Sequence, residues 1–240
     1  GVTPVYSPDE ALALAEKRET VFVAVGFEPT QAACAAVLSE AAERKIRNFS
    51  MLSDFKHLFP VFAMLQEVDG FLLPGHVAAV TGRIAFDGLA RPGVVAGFEP
   101  EEIATALLHL VKKVVEHDLV SANDYPQIVP EEPGAAMAAV GRVFEVCGSV
   151  WRGIGFVPDG GRRIREEFVE FDAVEKYHIP SFPAQEETRC RCGDVLRGKI
   201  RPAACPFFGK KCTPEHPEGA CMVSSEGACA ADYTCLEAAV

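Results

Sequence analysis

Seven of the nine cysteines, Cys190, Cys192, Cys205, Cys212, Cys221, Cys229 and Cys235, fall within the last 51 residues. The stretch around them is rich in Pro and Gly and allows only short helices. Too few large apolar side chains are present to hold such a segment by burial alone, so it needs cross-links or a bound metal. Disulfides suit small secreted domains, whereas this chain has 240 residues, is 49% hydrophobic and carries no signal peptide at Gly1. Structural zinc draws on close cysteine pairs, but the gaps here are 1, 12, 6, 8, 7 and 5 residues. A cubic iron-sulfur cluster takes four thiolates at irregular spacing, and a step such as Cys205-Pro206 occurs in ferredoxin ligand runs. Spacing favours the cluster and leaves the other two readings open.

The remainder reads as α/β. Ser7-Pro8-Asp9-Glu10 is a helix start, with a hydroxyl cap, proline in the first turn and acids at the positive end of the helix. "DEALALAEK" continues it as a short helix. Val21 to Val25 form a continuous run that predicts a strand covered on both faces, followed by the alanine-rich helix "TQAACAAVLSEAAERK". "NFSMLSDF" and "GFLLP" read as strands around a helix "LFPVFAMLQEV". "VVAGF" leads into the helix "EEIATALLHLVKKVVEHD", "AAMAAVGRVFEVC" reads as a helix, and "WRGIGFVPDGGRRI" as a strand with a glycine turn. Such alternation predicts mainly parallel strands. Both "VAVGFEPTQ" and "VVAGFEPEE" place Gly-Phe-Glu-Pro after a strand, which suggests an internal duplication with Glu28 and Glu99 at strand ends. For Glu99 a helix-start role is the simpler reading. Cys34 and Cys147 fall on apolar helical faces and are expected in the core, and Trp151 is expected to pack. "FPAQEETRC" is read as the link into the cysteine-rich segment.

Acidic side chains outnumber basic ones 34 to 23, for a net charge of -11. Such a balance repels a phosphate backbone and argues against nucleic acid as a partner. No apolar run approaches the ~20 residues that span a bilayer, and the expectation is a soluble, cytoplasmic protein. The opening "GVTPVYSPDE" has no initiating methionine, and an upstream part is expected.

The motifs "RCGDVLRGKIRPAACPFFGKKCTPEHPEG" and "MVSSEGACAA", with "VYSPDEALALA", "VGFEPT", "FLLPGHV", "VVAGFEP" and "WRGIG" before them, occur in the order found in the HypD family of nickel-iron hydrogenase maturation factors. The chain closely resembles that family over essentially its whole length. The resemblance implies two related parallel-sheet α/β units, at residues 1–89 and 90–175, and an iron-sulfur domain at 176–240. It implies a scaffold and electron relay on which Fe(CN)2(CO) is assembled, with a small HypC-like chaperone and the cyanide-delivery proteins HypE and HypF as partners. It also implies a 4Fe-4S cofactor and a transiently held iron. By motif the ligands are Cys192, Cys205, Cys212 and Cys229, with Cys190 as the substitute. Cys221 and Cys235 are read as spare thiols. Glu28, in Gly-Phe-Glu-Pro-Thr, and His76, in Pro-Gly-His-Val, are the candidate catalytic residues of a central crevice. Three positions depart from the family pattern: Pro29 for a threonine, Phe55 for a histidine and Gln127 for an arginine. The family's upstream Cys-Gly-x-His and Gly-Pro-Gly-Cys-Pro-x-Cys segments do not occur, so the chain reads as lacking the N-terminal third.

Two other functions fit the same residues. One is a cluster-fed thiol-disulfide reductase with Cys190 or Cys221 as an exchanging thiol. The other is a zinc-stabilised interaction module.

Overall fold

The computed structural model describes residues 1–180 and 189–238. The link read at "FPAQEETRC" therefore lies largely outside the described residues. The chain is α/β with a cysteine-rich C-terminal region. The order is α1 (Pro8–Ala15), β1 (Thr20–Gly26), α2 (Glu28–Glu43), β2 (Phe49–Lys56), α3 (Phe59–Phe62), β3 (Phe71–Pro74), α4 (Gly75–Thr81), β4 (Gly93–Ala96), α5 (Pro100–Glu116) and β5 (Ala122–Asn123). There follow α6 (Ala135–Val143), β6 (Phe144–Trp151), β7 (Gly155–Ile164), α7 (Ala173–Tyr177), α8 (Cys192–Leu196), α9 (Ala220–Val223) and α10 (Ala228–Ala238). Ser7 caps α1 through its hydroxyl, which accepts the Glu10 N–H at 3.4 Å.

Two sheets form. One has the order β1-β2-β7-β6, with β1 and β2 parallel and the β6-β7 hairpin antiparallel. The other, β3-β4-β5, is parallel throughout. The first sheet joins β1 and β2 to the much later strands β6 and β7, while β3 belongs with β4 and β5. Among the described residues three of the five strand pairings are parallel, as expected, and the first sheet is mixed because a two-strand hairpin docks on β2.

The first core lies between this mixed sheet and helices α1, α2 and α6, and includes Leu12, Cys34, Leu38, Phe49, Phe55 and Phe144. The Phe55 and Phe144 rings meet edge-on at 5.1 Å. A second core joins Leu73, Val77, Phe86 and Val95 with the rings of Phe59, Phe62 and Phe71.

Four local readings are corrected. Val21, Val23 and Val25 are exposed rather than covered, because the core helices pack only on the Ala24 face of β1. The expected helix over "LFPVFAMLQEV" shrinks to the single turn of α3, started by Pro60. "FEVC" leaves α6 and becomes the start of β6, where Phe144 fills the core against Phe55. Cys147 therefore sits half-buried on a strand, not on a helix. Cys34 is fully buried in α2 as expected, and burial pushes its thiol up to about 12.

Gly75 shows why the Pro-Gly-His-Val turn needs glycine. A Cβ there would lie 2.4 Å from the Ala96 carbonyl oxygen, inside the β3-β4 contact. Gly141, within α6, faces open space. Gly75→Ala should therefore destabilise the fold by roughly 1–3 kcal/mol through overpacking. Gly141→Ala should stabilise it by about 0.5–1 kcal/mol by reducing the freedom of the unfolded chain. Urea-unfolding midpoints check both signs, and a neutral Gly75→Ala would contradict the tight β3-β4 approach.

Candidate metal centre and buried polar site

The cysteine-rich unit is built mostly of short helical turns, and its buried thiols sit on or directly beside them. Cys192 opens α8. The short 3-10 turn Pro202–Ala204 delivers Cys205. A tight loop follows, in which the Cys212 N–H donates to the Phe207 carbonyl at 2.9 Å and Gly209 adopts φ +65°. Cys221 lies in α9 and Cys229 near the start of α10. Cys192, Cys205, Cys212, Cys221 and Cys229 are all no more than 7% exposed. Cys190 is half-buried, and Cys235 is exposed on α10.

The thiols converge. Cys192, Cys212, Cys221 and Cys229 share one core with Val195, Met222 and Ala230, and Cys190 packs against it. Cys221 donates to the Cys229 Sγ at 2.9 Å and also hydrogen-bonds with Cys192. The Cys212 Sγ accepts the Glu218 N–H at 3.4 Å. A Cβ on Gly219 would fall 2.5 Å from the Cys190 Sγ and 3.2 Å from the Cys192 Sγ, so glycine is what lets both thiols approach that backbone. Among the described residues, no three His, Cys, Asp or Glu side chains are set to hold a single metal ion. No cysteine is in a disulfide among the described residues.

The thiols are electrostatically unequal. The hydrogen bond from Cys221, with backbone N–H groups of Ala220 and Cys221, draws Cys192 down to about 5 against the opposing effect of burial. Burial pushes Cys190 up to about 12 and raises Cys229. Cys221 is driven up as the partner of Cys192. The family motif left Cys221 out, yet it hydrogen-bonds with two of the candidate ligands, Cys192 and Cys229. Its location in a turn after Gly219 was the available signal.

A hairpin tip fastens this unit to the first sheet. The turn between β6 and β7 brings Gly153, at φ +87°, so close to Cys192 that a Cβ would meet its Sγ at 2.9 Å. Arg197 donates to the Ile154 carbonyl at 2.6 Å, and Arg152 to that of Glu218 at 3.1 Å. On the other side of the tip, Trp151 packs against Phe27 at 5.7 Å and donates to the Gly160 carbonyl at 2.7 Å.

Phe27 leads to a buried polar site. Glu28 is fully buried at the first position of α2, where its Oε1 accepts the Leu58 N–H at 3.1 Å. The His57 Nε2 is 4.0 Å from the same oxygen, and its Nδ1 pairs with the Asp159 carbonyl at 3.0 Å. Gln31, also fully buried, donates to the Lys56 carbonyl at 2.8 Å. Glu28 Oε2, Gln31 Oε1 and Arg162 Nε are buried without a partner among the described residues. Burial lowers the pKa of His57 and that of Arg162. Motif reading passed over His57, although it stands two positions after Phe55 at the end of β2.

The two Gly-Phe-Glu-Pro loops differ by one helical position. Glu99 is the N-cap of α5 and forms a capping box with Glu102, the helix-start role expected of it. His76 is exposed at the start of α4 and stacked on Phe98 at 4.0 Å.

Residues 1–235 match the family model described as "HypD: Hydrogenase formation hypA family". The chain is 38% identical to the hydrogenase maturation factor HypD of Cupriavidus necator, over 96% of its own length and 66% of the relative's. It is 41% identical to that of Escherichia coli, over 95% and 65%. The Rhodobacter capsulatus factor is 39% identical, over 95% and 65%. The chain thus spans just under two thirds of the length of these relatives. No helix among the described residues is long and apolar enough to cross a membrane.

The depressed pKa of His57 has a definite sign in stability. The unfolded chain takes up a proton near the ordinary value of 6.5, while the folded site resists it. Below that pH the unfolded state binds more protons, so stability falls with pH. His57→Gln should flatten the loss seen in urea midpoints between about pH 7.5 and 5.5. Identical slopes in the two proteins would place the titrating group elsewhere.

Proposed function

Since the chain belongs to the HypD family of hydrogenase formation proteins, we propose that it acts in maturing a nickel-iron hydrogenase, as a scaffold and electron relay for the Fe(CN)2(CO) unit. The observation that carries this reading is the convergence of four buried thiols and the half-buried Cys190 in a unit with little other core, with a fifth buried thiol, Cys205, in the same unit. A set of thiolates in an apolar shell, with a backbone N–H donated to the Cys212 sulfur, has the chemistry of an iron-sulfur site. Cys192, Cys205, Cys212 and Cys229 would hold a 4Fe-4S cluster, with Cys190 as the alternative. Bound there, the cluster would supply one-electron transfer.

The protein's own residues do the rest. Val195, Leu196, Met222 and Phe208 keep water from the sulfurs. The hairpin tip holds Cys192 against Gly153 and faces Phe27, next to Glu28, on its other side. Glu28 fixes the loop at Leu58, and its second oxygen is buried without a partner among the described residues. Glu28 and His76 remain the proposed residues of the central site, with a HypC-like chaperone and HypE and HypF as partners in the cytoplasm.

A second reading of the thiols rests on the hydrogen bond between Cys192 and Cys221. Here Cys190, Cys205, Cys212 and Cys229 hold the cluster, and Cys192 and Cys221 are an exchanging pair. Opening a substrate disulfide would oxidise that pair to a disulfide and send two electrons and two protons to the substrate thiols.

Anaerobically purified protein should contain about four iron and four sulfide per chain. Serine at Cys205, Cys212 or Cys229 should abolish the visible absorption, and Cys34→Ser should leave it unchanged. Loss of iron in Cys192→Ser with retention in Cys190→Ser supports the first ligand set; the reverse supports the second. One equivalent of zinc without sulfide would instead make this unit an interaction module.

A further inference from the structure

The chain is acidic overall, yet its charge is sharply divided. Residues 189–211 contain seven Lys and Arg against the single acid Asp194, a formal +6, which leaves -17 on the other residues of a chain whose total is -11. These bases are interleaved with the thiols. Arg189 and Arg191 flank Cys190, Arg201 precedes Cys205, and Lys210 and Lys211 run directly into Cys212. Because the thiols turn inward to one core, the neighbouring bases are left on the surface around it, and Arg189, Arg191, Lys199, Arg201, Lys210 and Lys211 are all exposed. Arg197 is the exception, spent on the hairpin carbonyls.

Three of the exposed bases, Arg189, Arg201 and Lys210, pair with no carboxylate among the described residues, although the chain carries a large excess of acid. The cover between them is thin. Ala203, Ala204 and Pro206 are exposed while Cys205, in their midst, is 7% exposed. Phe207 lies half-buried beneath the ammonium of Lys211 at 5.2 Å. Unpaired bases around small apolar residues, one residue above a buried thiol, describe a face for a negatively charged macromolecule that must come close to sulfur.

We infer that the surface formed by Arg189, Arg191, Lys199, Arg201, Lys210 and Lys211 over Cys205 docks an acidic electron-carrier protein. The inference rests on the iron-sulfur reading for its purpose but not for its binding. Nucleic acid presents the same sign of charge, but the -17 outside the patch repels an extended polyanion, whereas a compact acidic protein can sit on the patch alone. The exchange served is one electron: the carrier is oxidised by one and the thiolate-held centre reduced by one, with no bond made or broken at the docked face.

The test is binding of an acidic plant-type ferredoxin to the anaerobically purified full chain by titration calorimetry. Raising salt from about 20 to 300 mM should weaken binding at least tenfold, because complementary charge is screened over this range. The double variant Arg201→Glu with Lys210→Glu should lose about tenfold or more at low salt. Arg18→Glu, an exposed base remote in sequence, should bind like the parent. A basic cytochrome c should not bind. Unchanged affinity in the double variant, or tighter binding of a duplex oligonucleotide than of ferredoxin, overturns the proposal. Iron and sulfide are assayed on the same samples. Ferredoxin binding by a chain without a cluster sustains the docking face and removes its purpose, whereas a cluster-bearing chain blind to ferredoxin removes the docking face alone.

Discussion

A protein unit whose buried side chains are thiols depends on what those thiols bind. Around Cys192, Cys212, Cys221 and Cys229 the larger apolar contributions come from Val195, Met222 and a few half-buried rings, and the helices are mostly single turns. Burial of so little carbon does not offset the ordering of about fifty residues. Thiols packed against one another gain little as hydrogen-bond donors. Metal-ligand bonds convert the same arrangement into a cross-linked one, in which binding and folding are a single equilibrium.

The two sheets stand in a different regime. Each has a conventional core, one between α1, α2, α6 and the mixed sheet, the other under α4 and the Phe59, Phe62 and Phe86 rings. Their polar exceptions are concentrated where the first sheet meets the hairpin. Glu28, Gln31 and Arg162 leave three polar atoms there without partners among the described residues. Such groups persist at a cost only where the surrounding fold holds them, and they sit along the route from Cys192 through Trp151 and Phe27.

Sequence patterns conveyed the local elements well. The cap at Ser7, the Gly-Phe-Glu-Pro turns and the run into α5 each carry their cause within a few residues. What failed was non-local. Nothing near Val21 says that one face of β1 is left uncovered, and nothing near Phe144 says that Phe55 waits across the sheet to draw it out of a helix. The thiols were legible by type and spacing, which picked out the segment in which they gather. Their grouping was less so: Cys221 joins Cys192 across 29 positions through the turn at Gly219. His57 escaped because the motif directed attention to Phe55, whereas the chain just past β2, held by the His57 N–H donated to the Gly160 carbonyl, brings the His57 ring to Glu28.

The seam at the hairpin tip is written almost entirely in main-chain atoms. Arg197 and Arg152 reach the carbonyls of Ile154 and Glu218, and Gly153 and Gly193 meet backbone to backbone, with no room for a Cβ. Side chains at 154 and 218 can therefore drift without disturbing the joint. The two arginines and two glycines cannot. A junction of this kind behaves like a mechanical coupling with a standard fitting: the sulfur-binding unit and the sheets can each be remodelled, or exchanged between relatives, so long as four residues keep the fitting intact.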